Sequence, residues 1–128
     1  MSRKTIAVVE DNADNRLLVQ ALLEDLYDIT EYTTGIEALN GLRRFVPDLV
    51  LLDISLPEMD GIEVARAIRS DERLKHLPIV ALTAHAMSGD RERFLQSGFD
   101  SYVAKPIIDE TELTDTIARL LAEADITR

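Results

Sequence analysis

Four short apolar runs punctuate this chain: Ile6-Ala7-Val8-Val9, Leu49-Val50-Leu51-Leu52, Ile79-Val80-Ala81-Leu82 and the less regular Ser101-Tyr102-Val103-Ala104. A run of four apolar residues without alternation is too short for a buried helix and reads as a strand covered on both faces. The residues that close the runs are Glu10 and Asp11, Asp53, Thr83, and Lys105 with Pro106. In an open parallel α/β sheet the carboxyl ends of all strands share one edge, so these residues converge whatever their separation along the chain. One pattern therefore constrains both the fold and the position of a site.

Between the runs, apolar residues recur at helical spacing. Leu17, Leu18, Ala21, Leu22 and Leu26 mark a helix from Ala13 to Leu26, and Ile36, Leu39, Leu42 and Phe45 one after Gly35, stopped by Pro47. Further helices are expected from about Ile62 to Ser70, with Val64, Ala65 and Ile68, and from Asp90 to Gln96, closed by Gly98. The last runs from Asp109 to Ala122 on Leu113, Ile117, Leu120 and Leu121. Tyr27 to Tyr32 alternates, which fits a half-exposed strand at the sheet edge. The order is strand then helix, five times. With right-handed crossovers this gives a doubly wound three-layer α/β sandwich, since an eight-fold barrel needs about twice the chain.

A length of 128 residues, 46% hydrophobic, suits one domain over 1–128, with a core from about 4 to 122 and a short tail from 123 to 128. The 14 basic and 24 acidic residues leave a net charge of −10, which disfavours a nucleic-acid or anionic-membrane partner. The chain has no cysteine, which removes disulfides, thiol catalysis and thiolate metal sites. The apolar stretch after Met1-Ser2-Arg3-Lys4 stops at Glu10, too short for a signal peptide or a membrane span, so a cytoplasmic location is expected.

Glu10, Asp11 and Asp53 at one edge put three carboxylates together, and such like charges raise one another's pKa unless something cationic sits among them. Mg²⁺ suits a site with a few carboxylates, retained waters and a phosphate oxygen. Lys105 adds a fixed positive charge and Thr83 a hydroxyl that can donate to an anionic oxygen. A carboxylate nucleophile, a divalent ion, a cation and a donor are the parts of phosphoryl transfer.

These residues resemble a family. Val8-Val9-Glu10-Asp11-Asn12, the stretch from Pro47 through Asp53 to Gly61, Pro78-Ile79-Val80-Ala81-Leu82-Thr83-Ala84 and Ala104-Lys105-Pro106 together resemble the receiver domains of two-component response regulators, from Lys4 to about Ala122. The resemblance is nearest to stand-alone single-domain regulators and to the receivers of hybrid kinases. It implies a flavodoxin-like (βα)5 fold with a parallel sheet of order 2-1-3-4-5. It implies Asp53 as the phosphoacceptor, charged by a histidine kinase or phosphotransfer protein. It further implies Asp11, Asp53 and the backbone carbonyl of Ser55 as Mg²⁺ ligands, with Glu10 acting through water. Lys105 would pair with the phosphoryl group, Thr83 would be the switch hydroxyl, and Tyr102 the aromatic that turns inward with it. Ala84 would leave room for the phosphoryl group, and the Lys105-Pro106 bond would be cis. A downstream protein would then read the face formed by the fourth helix, fifth strand and fifth helix, because phosphorylation adds roughly −1.5 to −2 charge and three acceptor oxygens that recruit donors.

Plainer roles suit the neighbours. Asp48, Asp60 and Asn12 read as turn and cap residues, His76 as solvated surface, and Met59 and Met87 as packing residues. Ser55 and His85, two positions beyond Asp53 and Thr83, flank the phosphoryl site in the family and influence water attack there. Such a chain is expected to act on no substrate but itself. A haloacid dehalogenase-type phosphatase would carry a second Asp where Ser55 stands, so the general acid is missing. The same motifs would also suit a receiver excised from a hybrid kinase or a pseudo-receiver working without phosphorylation, and intact Asp11, Asp53 and Lys105 weigh against the pseudo-receiver.

Overall fold

The computed structural model describes residues 3–84, 90–107 and 109–127. Five strands and five helices alternate: β1 (Thr5–Val9), α1 (Ala13–Leu23), β2 (Asp28–Tyr32), α2 (Gly35–Arg44), β3 (Leu49–Asp53), α3 (Gly61–Ser70), β4 (Ile79–Thr83), α4 (Asp90–Gln96), β5 (Ser101–Ala104) and α5 (Glu110–Thr127). The strands form one sheet in the order β2-β1-β3-β4-β5, every pair parallel. Every residue of β3 and β4 is buried, as expected of central strands covered on both faces. The alternating β2 lies at the edge with two exposed residues.

Side chains alternate between two cores. Ala7, Val9, Val50, Leu52, Ile79 and Ala81 pack with α2, α3 and Phe94 of α4. Ile6, Val8, Leu49, Leu51, Val80, Leu82 and Val103 pack with α1 and α5. At the edge opposite the strand ends, Arg69 donates to the carbonyls of Gly98, Lys75 and Leu77 and to Asp100, which also accepts from the Ile79 N–H. One guanidinium thus ties the end of α3 to the starts of β4 and β5.

Three helices depart from the sequence expectation. α1 ends at Leu23 rather than Leu26, and its buried residues are Val19 and Leu23 while Leu17, Leu18 and Leu26 are exposed. The chain turns away where Arg3 donates to the carbonyls of Glu24 and Tyr27. In α2 the buried stripe is Ala38, Leu39 and Leu42, with Ile36 and Phe45 at 50% and 64% exposure. α5 continues through 123–127, expected to be a tail, because no glycine or proline stops it and Asp125 pairs with Lys4 at 3.0 Å. The cap readings of Asn12 and Asp60 hold, Asn12 accepting from the Asn15 N–H and Asp60 from the Glu63 N–H, and the structure adds Thr34, which accepts from the Glu37 N–H at the start of α2. Asp48 accepts from the Thr5 N–H, pinning the start of β1, and His76 is exposed.

Gly61, the first residue of α3, lies where a Cβ would come within 2.4 Å of the Asp53 carbonyl oxygen and 2.8 Å of the Ile54 Cα. Its N–H donates to the Ile54 carbonyl at 2.9 Å, so the loop after β3 is drawn tight against the helix. Rigid backbone on both sides cannot yield to a methyl group. Gly61→Ala is expected to cost about 1–3 kcal/mol or more, read as a lower urea midpoint with an unchanged m value; an unaltered midpoint would show that the loop yields.

Candidate functional site

The carboxyl ends of β1, β3, β4 and β5 carry the chemistry. Glu10 follows β1, its N–H still donating to the Tyr32 carbonyl at 3.0 Å, and Asp53 is the last residue of β3. Both are buried, at 0% and 2% exposure, whereas Asp11 is exposed. One carboxylate oxygen from each of Glu10, Asp11 and Asp53 can be chosen so that all three lie within 4.8 Å of one another. The sequence assigned these three residues to a single edge, and the structure brings them together there.

Lys105 sits among them. Its backbone N–H donates to the Thr83 carbonyl at 2.8 Å, continuing the β4–β5 ladder by one residue. The chain thereby delivers the Lys105 ammonium to within 3.1 Å of Asp53 Oδ1 and 3.4 Å of Glu10 Oε1. The Lys105-Pro106 bond is cis. Backbone donors complete the set: the Ser55 N–H reaches Asp53 Oδ1 at 3.0 Å and the Asn12 N–H reaches Glu10 Oε2 at 3.3 Å.

The electrostatics follow from burial and crowding. Glu10 is pushed up to about 7, first by burial, then by its hydrogen bond to Asp53 and by that residue's charge. Burial alone would lower the Lys105 ammonium, but the carboxylates of Asp53 and Glu10 outweigh it and hold its pKa above the ordinary lysine value. Among the described residues Lys105 is the one cation paired with these carboxylates, which leaves the cluster short of positive charge. Its donors are all oxygens, as a hard cation such as Mg²⁺ requires, so the residues fit that ion.

Thr83 is buried at 2% exposure beside this edge, whereas Ser55, Ala84 and Pro106 are exposed. Tyr102 pairs in register with Ala81, which places it on the α3 and α4 face of the sheet with Thr83 two residues further along β4. Its half-buried ring lies 5.8 Å from that of Phe94, which meets Phe99 edge-on at 6.0 Å. His85 and Met87 lie outside the described residues.

Sequence reasoning missed one feature beside the site. Leu17 and Leu18, expected in the core, stand at 68% and 43% exposure on α1. Leu18 also lines a cavity of about 40 Å³ with Glu10, Lys105, Pro106 and Ile107. An apolar strip therefore borders the acidic cluster. Helical period alone could not show this, because the extra leucines widen the apolar arc of α1 beyond the part the sheet covers.

The family model for the response regulator receiver domain matches residues 6–118. The polar-differentiation response regulator DivK of Brucella ovis is 42% identical over 122 residues, 94% of this chain and 98% of that protein. Among solved structures, the receiver domain of a sensor histidine kinase from Pseudomonas aeruginosa, with a magnesium ion coordinated in its active-site cleft, is 38% identical. It aligns with a TM-score of 0.86 over 94% of this chain and 99% of that one. A CheY-like receiver domain protein of Methanospirillum hungatei is 25% identical with a TM-score of 0.88, covering 99% of this chain and all of that one.

Because the folded chain holds the Glu10 carboxyl above its ordinary value of 4.5, the neutral acid is the form the fold favours. Its stabilising contribution is complete below about 4.5 and is lost as pH rises through about 7. In chelator-treated protein the melting temperature should therefore rise as pH is lowered from 8 to 6, and Glu10→Gln should flatten that rise. An equal rise in the variant would place the titration elsewhere.

Proposed function

This chain belongs to the response regulator receiver family of two-component signalling, and on that footing we propose that Asp53 is its phosphoacceptor. The observation that carries the reading is the buried Asp53 carboxylate held by Lys105 at 3.1 Å and by the Ser55 N–H at 3.0 Å, beside Glu10 and Asp11. A histidine kinase or phosphotransfer protein is the donor. The phosphorus–nitrogen bond of its phosphohistidine breaks as a bond forms from phosphorus to an Asp53 carboxylate oxygen, and the freed imidazole takes up a proton. Asp11, Asp53 and the Ser55 carbonyl would hold Mg²⁺ directly, with Glu10 acting through water. When bound, that ion offsets the charge between the carboxylate and the incoming phosphoryl oxygens. Lys105 lies close enough to exchange its Asp53 contact for a phosphoryl oxygen, and the exposed Ala84 leaves the approach unobstructed. Chemistry of this kind changes only the chain itself, in phosphorylation and its reversal.

The switch rests on Thr83 and Tyr102. Three new acceptor oxygens on Asp53 draw the Thr83 hydroxyl toward them, and Tyr102, already packed against Phe94, takes up the vacated volume. That rearranges the α4-β5-α5 face, which a downstream protein then reads. The phosphodonor meets a different surface, the apolar strip of Leu18 and Pro106 beside the site. Among the described residues no helix is long and apolar enough to cross a membrane, which fits a cytoplasmic regulator.

Incubation with acetyl phosphate in the presence of Mg²⁺ should add one phosphoryl group, mapped by peptide mass to Asp53, and chelation should abolish it. Asp53→Asn should remain unlabelled while keeping its far-UV circular dichroism. Persistent labelling of that variant would refute the assignment. A wild-type chain that takes up neither phosphoryl nor beryllofluoride would be a pseudo-receiver.

A further inference from the structure

Arg16 lies in the first turn of α1, its backbone N–H donating to the carbonyl of the cap residue Asn12 at 3.0 Å. A cation there opposes the positive end of the helix dipole, and it also stands next to a cluster proposed to take a second cation. On charge alone Arg16 is misplaced twice. Its side chain does not extend into solvent to escape this: it is 21% exposed and folds back across the helix N-terminus. Nη1 donates to the carbonyl of Glu10 at 2.9 Å and to that of Asp11 at 3.0 Å, and Nε faces Glu31 Oε2 on β2 at 3.8 Å.

The two carbonyls belong to the two residues whose side chains supply the acidic pair. The turn from β1 into α1 must place the Glu10 side chain in the interior and that of Asp11 at the mouth of the site, and the guanidinium grips the backbone at both. We propose that Arg16 is a positioning residue for the cation site, fixing the β1–α1 turn so that Asp11 stands ready beside Asp53. Glu31 keeps the guanidinium in place and offsets its charge. The inference rests on the reading that Asp11 and Asp53 hold Mg²⁺.

Positioning and simple charge predict opposite signs. Were the Arg16 charge all that mattered, its removal would tighten Mg²⁺ binding by relieving repulsion. If Arg16 positions the turn, removal weakens binding, by about tenfold or more, the usual consequence of losing a partner that orients a metal ligand. Mg²⁺ titrations of wild type, Arg16→Met and Arg16→Lys by calorimetry decide this, with urea unfolding of the metal-free proteins alongside. The expected result is a tenfold or greater loss of affinity in Arg16→Met and a smaller loss in Arg16→Lys, which keeps the charge but not the planar fork. Labelling by acetyl phosphate in Arg16→Met should shift its Mg²⁺ midpoint upward and approach the wild-type rate at saturation, which a merely destabilised fold would not do. Unchanged or tighter Mg²⁺ binding in Arg16→Met would overturn the proposal. Should that variant not fold, Arg16→Lys decides, its affinity either reduced, as proposed, or unchanged, against it. A wild-type chain that binds no Mg²⁺ would remove the cation reading itself, and this inference with it.

Discussion

The ammonium of Lys105, 3.1 Å from Asp53 and 3.4 Å from Glu10, is the interaction on which the rest of the site depends. Two acids at 0% and 2% exposure cannot both stay ionised without a partner, because burial and mutual repulsion favour the neutral form. Removing one partner from a buried charged set is far more damaging than never having built it. The backbone secures the lysine more firmly than the side chain could, since the Lys105 N–H extends the β4–β5 ladder onto the Thr83 carbonyl. Even so, three carboxylates face one ammonium, and Glu10 is raised first by its burial and then by its hydrogen bond to Asp53 and that residue's charge. On the proposed reading, that unfinished balance makes the edge receptive to a hard cation and, through it, to an anionic phosphoryl group.

The fold supplies this arrangement at little local cost. Strand ends in a parallel sheet have backbone groups that the ladder no longer satisfies, and polar side chains placed there meet solvent on one side and the core on the other. Below the edge, Leu52, Ala81 and their neighbours are fully buried and leave the floor of the site no freedom to shift. Gly61 lets α3 approach the Asp53 carbonyl closely, and Asp60 caps that helix. At the opposite edge, Arg69 binds the incoming segments of β4 and β5. The rigid parts and the part proposed to move are thereby separated: central strands are fixed from both ends, while Tyr102 and α4 meet through an aromatic contact that can repack.

Much of this was legible in the sequence because the strands announce themselves. The runs at Leu49 and Ile79 are buried on both faces and read without ambiguity, so the parallel sheet and the convergence of Glu10, Asp11, Asp53 and Lys105 at one edge followed, whereas the strand order came from the family resemblance. The helices were less transparent. Leu17, Leu18, Ile36 and Phe45 fit a helical period as well as Val19, Ala38 and Leu42 do, and only the path of the sheet decides which of them it covers. The extension of α5 past Ala122 was open to the sequence, since no glycine or proline follows, but the meeting of Lys4 and Asp125 across nearly the whole chain is encoded by no local pattern. The fold of Arg16 back onto two carbonyls is invisible for the same reason: its spacing is that of any solvent-facing residue on α1.

On the proposed reading, a divalent ion binds where Glu10, Asp11 and Asp53 converge. A Mg²⁺ titration of the metal-free protein, followed through its backbone amide resonances, tests that claim residue by residue. A single saturable transition is expected, with the largest shifts at residues 10–13, 53–55 and 105 and little change in β2 or along the outer face of α2. A titration without saturable shifts, or one centred on the other carboxylates of this acidic chain, would contradict it.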